Sequence, residues 1–180
     1  MTAMSPRLRK LALTAHVTFS LGWFGAVAAF LALAVAGLAS TDAGLARAAY
    51  IGMGVTGWFA IVPFALASLI TGIVSSLGTV WGLFRHYWVL IKLLITALAT
   101  GVLLVHMGPI SGLAATAAVK SMSAAGFQGL RIQVVVQAGL ALLVLLLATA
   151  LSVYKPRGLT GYGQRTQRRT PPAIDLNHTK

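Results

Sequence analysis

Residues 132–154 read IQVVVQAGLALLVLLLATALSVY, a run without one charged side chain. A helix needs about 20 consecutive apolar residues to cross the ~30 Å hydrocarbon core of a bilayer, and this run is long enough. Working outward, three more runs of the same kind precede it, over residues 11–39, 48–77 and 87–107. Four such runs predict an all-α polytopic membrane protein. Its expected architecture is an antiparallel four-transmembrane-helix bundle over residues 1–154, followed by a basic tail over residues 155–180.

Composition agrees. Of 180 residues, 58% are hydrophobic and 9% charged, against roughly 25% charged in an average soluble domain. The first run follows Arg7, Arg9 and Lys10, as a signal peptide would. A signal h-region spans only ~7–15 residues, so the longer run reads as an uncleaved span.

Charge gives direction. On one side lie Arg7, Arg9, Lys10, Arg85, Lys92, Lys155, Arg157, Arg165, Arg168, Arg169 and Lys180; on the other lie only Arg47, Lys120 and Arg131. Cytoplasmic segments carry the excess of Lys and Arg, which puts both termini in the cytoplasm. Trp81, Tyr87, Trp88 and Tyr154 then fall at the inner edges, where an aromatic belt belongs. The chain is expected to be a multi-pass membrane protein.

The connections have their own signals. Asp42 is placed to N-cap the second helix. Pro63 interrupts the second span, so a neighbour or a local distortion must take up the freed carbonyl. Gly108-Pro109 is expected to end or kink the third helix, and the segment from Gly108 to Gly129 is read as a long outer connection in which Leu113, Met122 and Phe127 rest on the interface. The tail, with Pro156, Pro171 and Pro172, is read as disordered. Small residues at four-residue spacing (Gly22 and Ala26, Gly25 and Ala29, Ser68, Gly72 and Ser76) let helices approach closely, which is how helices associate in lipid.

Several chemistries are excluded. The chain has no cysteine, which removes disulfides, thiolate nucleophiles and Cys-type metal sites. The two acids, Asp42 and Asp175, lie outside every apolar run. That leaves no paired carboxylates and no embedded proton relay. Gly52-Met53-Gly54-Val55-Thr56-Gly57 matches G-x-G-x-x-G, but a dinucleotide site needs a preceding strand and an acid ~20 residues later; helix packing is the preferred reading. Thr160-Gly161-Tyr162-Gly163 lies beyond the last span, where no ion filter can sit. The net charge of +12 is read as a topology determinant, with attraction of the tail to anionic lipids. Nucleic acid is not an expected partner, because no aromatic platform accompanies the charges.

The remaining candidates are embedded polar residues, which are functional suspects by default. The bland reading is interhelical hydrogen bonding. The sharper reading is b-type haem held by His16 and His86, with Arg9 and Arg85 near the propionates, since bundle cores do hold cofactors. By the ~1.5 Å rise per residue, His16 lies several ångströms deeper than His86. Lys92 is expected to snorkel to the inner head groups. Alternatively Lys92, Thr96, His106 and Gln137 line a polar seam, as in a small transporter or a copper-handling protein, with His106 as a metal candidate. A non-enzymatic structural or accessory membrane protein, acting as a homo-oligomer or within a larger membrane assembly, is the leading reading.

Three segments carry a resemblance: TAHVTFS at 14–20 with Gly22-Trp23, LGTVWGLFRHYWV at 77–89, and YKPRGLT at 154–160. Together they resemble a family of predicted bacterial four-helix integral membrane proteins of unknown function. The resemblance implies a plasma-membrane bundle and no established activity. The His-plus-aromatic turn before the third helix also resembles copper-resistance-type membrane domains. A copper pathway uses soft ligands such as Met together with imidazole, and the five Met residues do not cluster.

Overall fold

A computed structural model describes residues 4–77, 86–119, 128–154 and 160 of the chain. The described residues are helical: α1 (Pro6–Ala39), α2 (Ala43–Thr56), a π-helical turn (Gly57–Ile61), α3 (Val62–Leu77), α4 (Tyr87–Val119) and α5 (Gln128–Tyr154). The π turn joins α2 and α3 into one continuous rod, so there are four helices long and apolar enough to span a membrane. At about 1.5 Å per residue the 34 residues of α1 reach roughly 50 Å, beyond the ~30 Å of a hydrocarbon core.

Local chemistry sets the helix ends. Ser5 caps α1, its hydroxyl accepting from the Leu8 amide at 3.4 Å, and Pro6 stands in the first turn, where a missing N–H costs nothing. Ser40 leaves the helix in an extended conformation. The Asp42 carboxylate then accepts from the Gly44 amide at 2.7 Å, the N-cap expected from sequence.

Each rod packs on its sequence neighbours, and α5 closes the ring on α1. Backbone contact is absent across the diagonals, between α1 and α4 and between α5 and the α2–α3 rod, among the described residues. Pro6, Leu77, Tyr87 and Tyr154 therefore share one end, called proximal below; Ala39, Ala43, Val119 and Gln128 share the distal end. On α1 the buried positions are Trp23, Val27, Phe30, Ala34 and Gly37. Their alternating spacing of four and three is the seam of an antiparallel bundle. The opposite faces are apolar as well. Leu94, Leu98, Val102 and Val105 make an exposed stripe on α4, and Val136, Leu140, Leu143 and Leu147 make one on α5. Outward surfaces of this kind suit lipid as the surrounding solvent.

The two prolines behave differently. Pro63 follows the π turn at once, and the Val62 amide bonds back to the Gly57 carbonyl, five residues earlier. The backbone thus shifts register where proline withdraws a donor, the local distortion that the sequence demanded. Pro109 neither ends nor delimits α4, which runs on to Val119. The expectation that the helix ends here is corrected by packing: Ile110, Leu113 and Ala117 are buried in the common core. Leu113 accordingly lies inside the bundle, not on an outer interface. Trp88 is also buried, while Tyr87 and Tyr154 face outward. Trp81, Met122, Phe127 and the tail apart from Thr160 lie outside the described residues.

Candidate functional site

Polar side chains inside the bundle gather into two groups. The proximal group begins on α1. The His16 Nδ1 lies 3.1 Å from the Ser68 carbonyl oxygen and 3.3 Å from the Thr71 hydroxyl. A carbonyl only accepts, so Nδ1 carries the proton. One turn further along, the Ser20 and Ser68 hydroxyls meet at 2.8 Å. Gly72 makes room: a Cβ there would stand 3.0 Å from the His16 ring. The stripe Ser68, Thr71, Gly72 therefore forms one face of α3 at helical spacing, matched to His16 and Ser20 on α1. Gly22 continues the contact, with the Phe64 ring 3.1 Å from where its Cβ would be, whereas Gly25 faces open space. The Ser75 hydroxyl is enclosed without a hydrogen-bond partner.

Across the bundle, the Lys92 ammonium donates to the Ser152 hydroxyl at 3.1 Å and lies 5.5 Å from the centre of the Trp88 ring. Both partners sit nearer the proximal end than the Lys92 backbone does. The side chain thus extends in the snorkelling direction, but inside the α4–α5 seam and half-buried. Thr96 and Thr100 turn back onto their own helix, bonding the Lys92 and Thr96 carbonyls at 2.5 and 2.8 Å.

The distal group was not legible as a site in the sequence. Arg131, near the start of α5, donates through Nε to the Tyr50 hydroxyl and through a terminal nitrogen to the Gly37 carbonyl, each at 2.5 Å. Arg47 donates to the Ala118 carbonyl. Gly37 and Ala118 belong to the last turns of α1 and α4, where carbonyls have no intrahelical partner and the helix dipole favours a cation. Each arginine thereby caps another helix, and Arg131 also spans the diagonal to α2. Spacing within one helix cannot reveal such a contact.

The other sequence candidates are placed apart. His86 precedes α4, its ring centre 6.4 Å from that of Trp88; α1, which carries His16, lies diagonally opposite α4. Arg9 is exposed on the first turns of α1, and Arg85 lies outside the described residues. His106 Nδ1 donates to the Val102 carbonyl of its own helix at 2.7 Å. It stands about 21 Å along α4 from Lys92 at 1.5 Å per residue. Gln137 is half-buried on α5. Among the described residues no three His, Asp or Glu side chains are grouped to hold a metal ion. The G-x-G-x-x-G glycines serve packing: added Cβ atoms would stand 3.5 Å from Leu33 at Gly52, 2.9 Å from the Ala114 Cβ at Gly54 and 2.8 Å from the Met107 methyl at Gly57. No protein family, curated protein or solved structure matches the chain.

Proposed function

We propose that the chain is a non-enzymatic accessory protein of a bacterial plasma membrane, inserted as four spans with both termini in the cytoplasm. The observation that carries this reading is the use made of its embedded polar groups. His16, Ser20, Lys92 and Arg131 each reach a partner on a neighbouring helix, so they act as joints of the bundle. Its outward faces are apolar stripes, available to lipid, to a second copy or to a larger membrane assembly. The positive-inside distribution supports the orientation.

A second reading has one specific support. With its Nδ1 proton on the Ser68 carbonyl, His16 keeps Nε2 as an acceptor, the orientation found behind metal-bound imidazoles. A haem shared with His86 would have to bridge the diagonal of the bundle.

An absorption spectrum of the detergent-purified protein, expressed with haem supplied and recorded oxidised and dithionite-reduced, separates the two. The accessory reading predicts a colourless protein. It also predicts that His16→Ala lowers stability by about 1 kcal/mol, the scale of an interhelical hydrogen bond in lipid. A Soret band that shifts on reduction and vanishes in His16→Ala would replace it with the haem reading.

A further inference from the structure

The second rod changes its buried face partway along. On α2 the buried residues are Ala46, Ala49, Tyr50 and Met53; on α3 they are Val62, Ala65 and Ser68. A straight α-helix turns about 100° per residue. Wound as one such helix, the rod would point the α3 set about 100° away from the α2 set, the turn of a single residue. Both sets nevertheless face the bundle. Between them the Val62 amide reaches back to the Gly57 carbonyl, and a π turn of this kind takes up one residue more than an α-helical turn. The surplus matches the discrepancy in size and in sense.

Neighbours bracket the turn. Gly57 lies against Met107 of α4, whose methyl would stand 2.8 Å from an added Cβ. The Trp58 indole donates to the Ser111 hydroxyl at 2.9 Å, and Ser111 donates to the Met107 carbonyl at 2.7 Å. On the other side Pro63 has no N–H, so the widened pattern stops there. Phe59 is 81% exposed, so the turn contains a residue that the core does not use. Past the turn the phase matters at once, because Ser68 gives its carbonyl to His16 and its hydroxyl to Ser20.

We propose that the π turn is a conformational device: one surplus residue stored in the α2–α3 rod, held by α4, that sets the rotational phase of α3. Conversion of the turn to α-helix with the chain intact turns α3 by about 100° against α2 and parts Ser68 from His16 and Ser20. Pro63 pins the turn and does not create it. The inference goes beyond the accessory reading and is tested apart from it, since it concerns the phase of a helix and not an activity.

The test uses the full-length protein, which has no cysteine of its own, carrying Ser20→Cys and Ser68→Cys. The parent hydroxyls meet at 2.8 Å, so the pair should form a disulfide on mild oxidation in neutral detergent, read as loss of free thiol. Deletion of Phe59 in that background lets the turn become α-helix with both faces in phase, and the disulfide should form to the same extent. An alanine inserted after Phe59 adds a residue that the rod has no means to absorb, and the disulfide should be lost. Pro63→Ala should keep it, because the two faces still demand the surplus. In a plain α-helix, deletion and insertion would each turn α3 by about 100° and be equally damaging. Equal loss in both, or equal retention in both, therefore overturns the proposal. Loss in Pro63→Ala also overturns it, since the proline alone would then make the turn. Should the chain lacking Phe59 not fold, deletion of Ala60 in the same turn decides on the same readout; failure of both deletions to fold counts as refutation.

Discussion

Arg131 shows what one residue does where no acid among the described residues pairs with it. Its guanidinium spends its donors on a tyrosine hydroxyl and on a helix-terminal carbonyl, joining α5 to α2 and α1 at once. Gly37 permits this, because a Cβ there would stand 2.8 Å from the Tyr50 ring. Hydrogen bonds to charged groups are worth about 1.5–3 kcal/mol. Arg131→Met should therefore cost that amount in a reversible detergent unfolding experiment, and Tyr50→Phe roughly 1 kcal/mol, since it removes one acceptor and leaves the carbonyl bond in place. Because the two side chains share a bond, the double variant should lose less than the sum of the single losses. Strict additivity would show that they do not act together.

Close approach of backbones sets the element scale. At Gly54 the neighbour of an added Cβ is the Ala114 methyl at 2.9 Å, a group with no rotamer to yield. Gly54→Val should force α2 and α4 apart and cost about 1–3 kcal/mol. Gly25→Val, at a position that meets nothing, should leave the unfolding midpoint nearly unchanged; equal losses at both positions would refute the packing assignment. The existence of the four rods, the Asp42 cap and a distortion at Pro63 were legible in the sequence, because each rests on local chemistry: an apolar run, a side chain near free amides, a missing donor. The continuation of α4 past Pro109 was not. It depends on Ile110, Leu113 and Ala117 finding the core and on Arg47 reaching the Ala118 carbonyl, contacts between residues far apart in the chain. The candidate site was legible to the same degree. His16 and Lys92 were singled out as embedded polar groups, but their partners Ser68 and Ser152 lie on other helices, and apolar periodicity carries no record of which helices adjoin.

At the scale of the whole molecule, the ring order follows from four rods joined to their sequence neighbours, with α5 returning to α1. The bundle buries several polar groups against one another and turns leucine and valine outward, a pattern that suits an apolar surrounding. Two ends result, and they differ in charge. Among the described residues, the proximal end holds the basic approach to α1 and Lys92, and the distal end holds two arginines occupied with carbonyls. The central claim is that these rods cross a membrane with the proximal end inside. The absence of native cysteine makes the direct measurement clean: single reporters Thr41→Cys and Thr179→Cys, labelled by a membrane-impermeant maleimide in intact spheroplasts and in inverted vesicles. The account predicts labelling of the first reporter in spheroplasts only and of the second in inverted vesicles only. Labelling of both reporters from the same face, or of each from the face opposite to that expected, would contradict it.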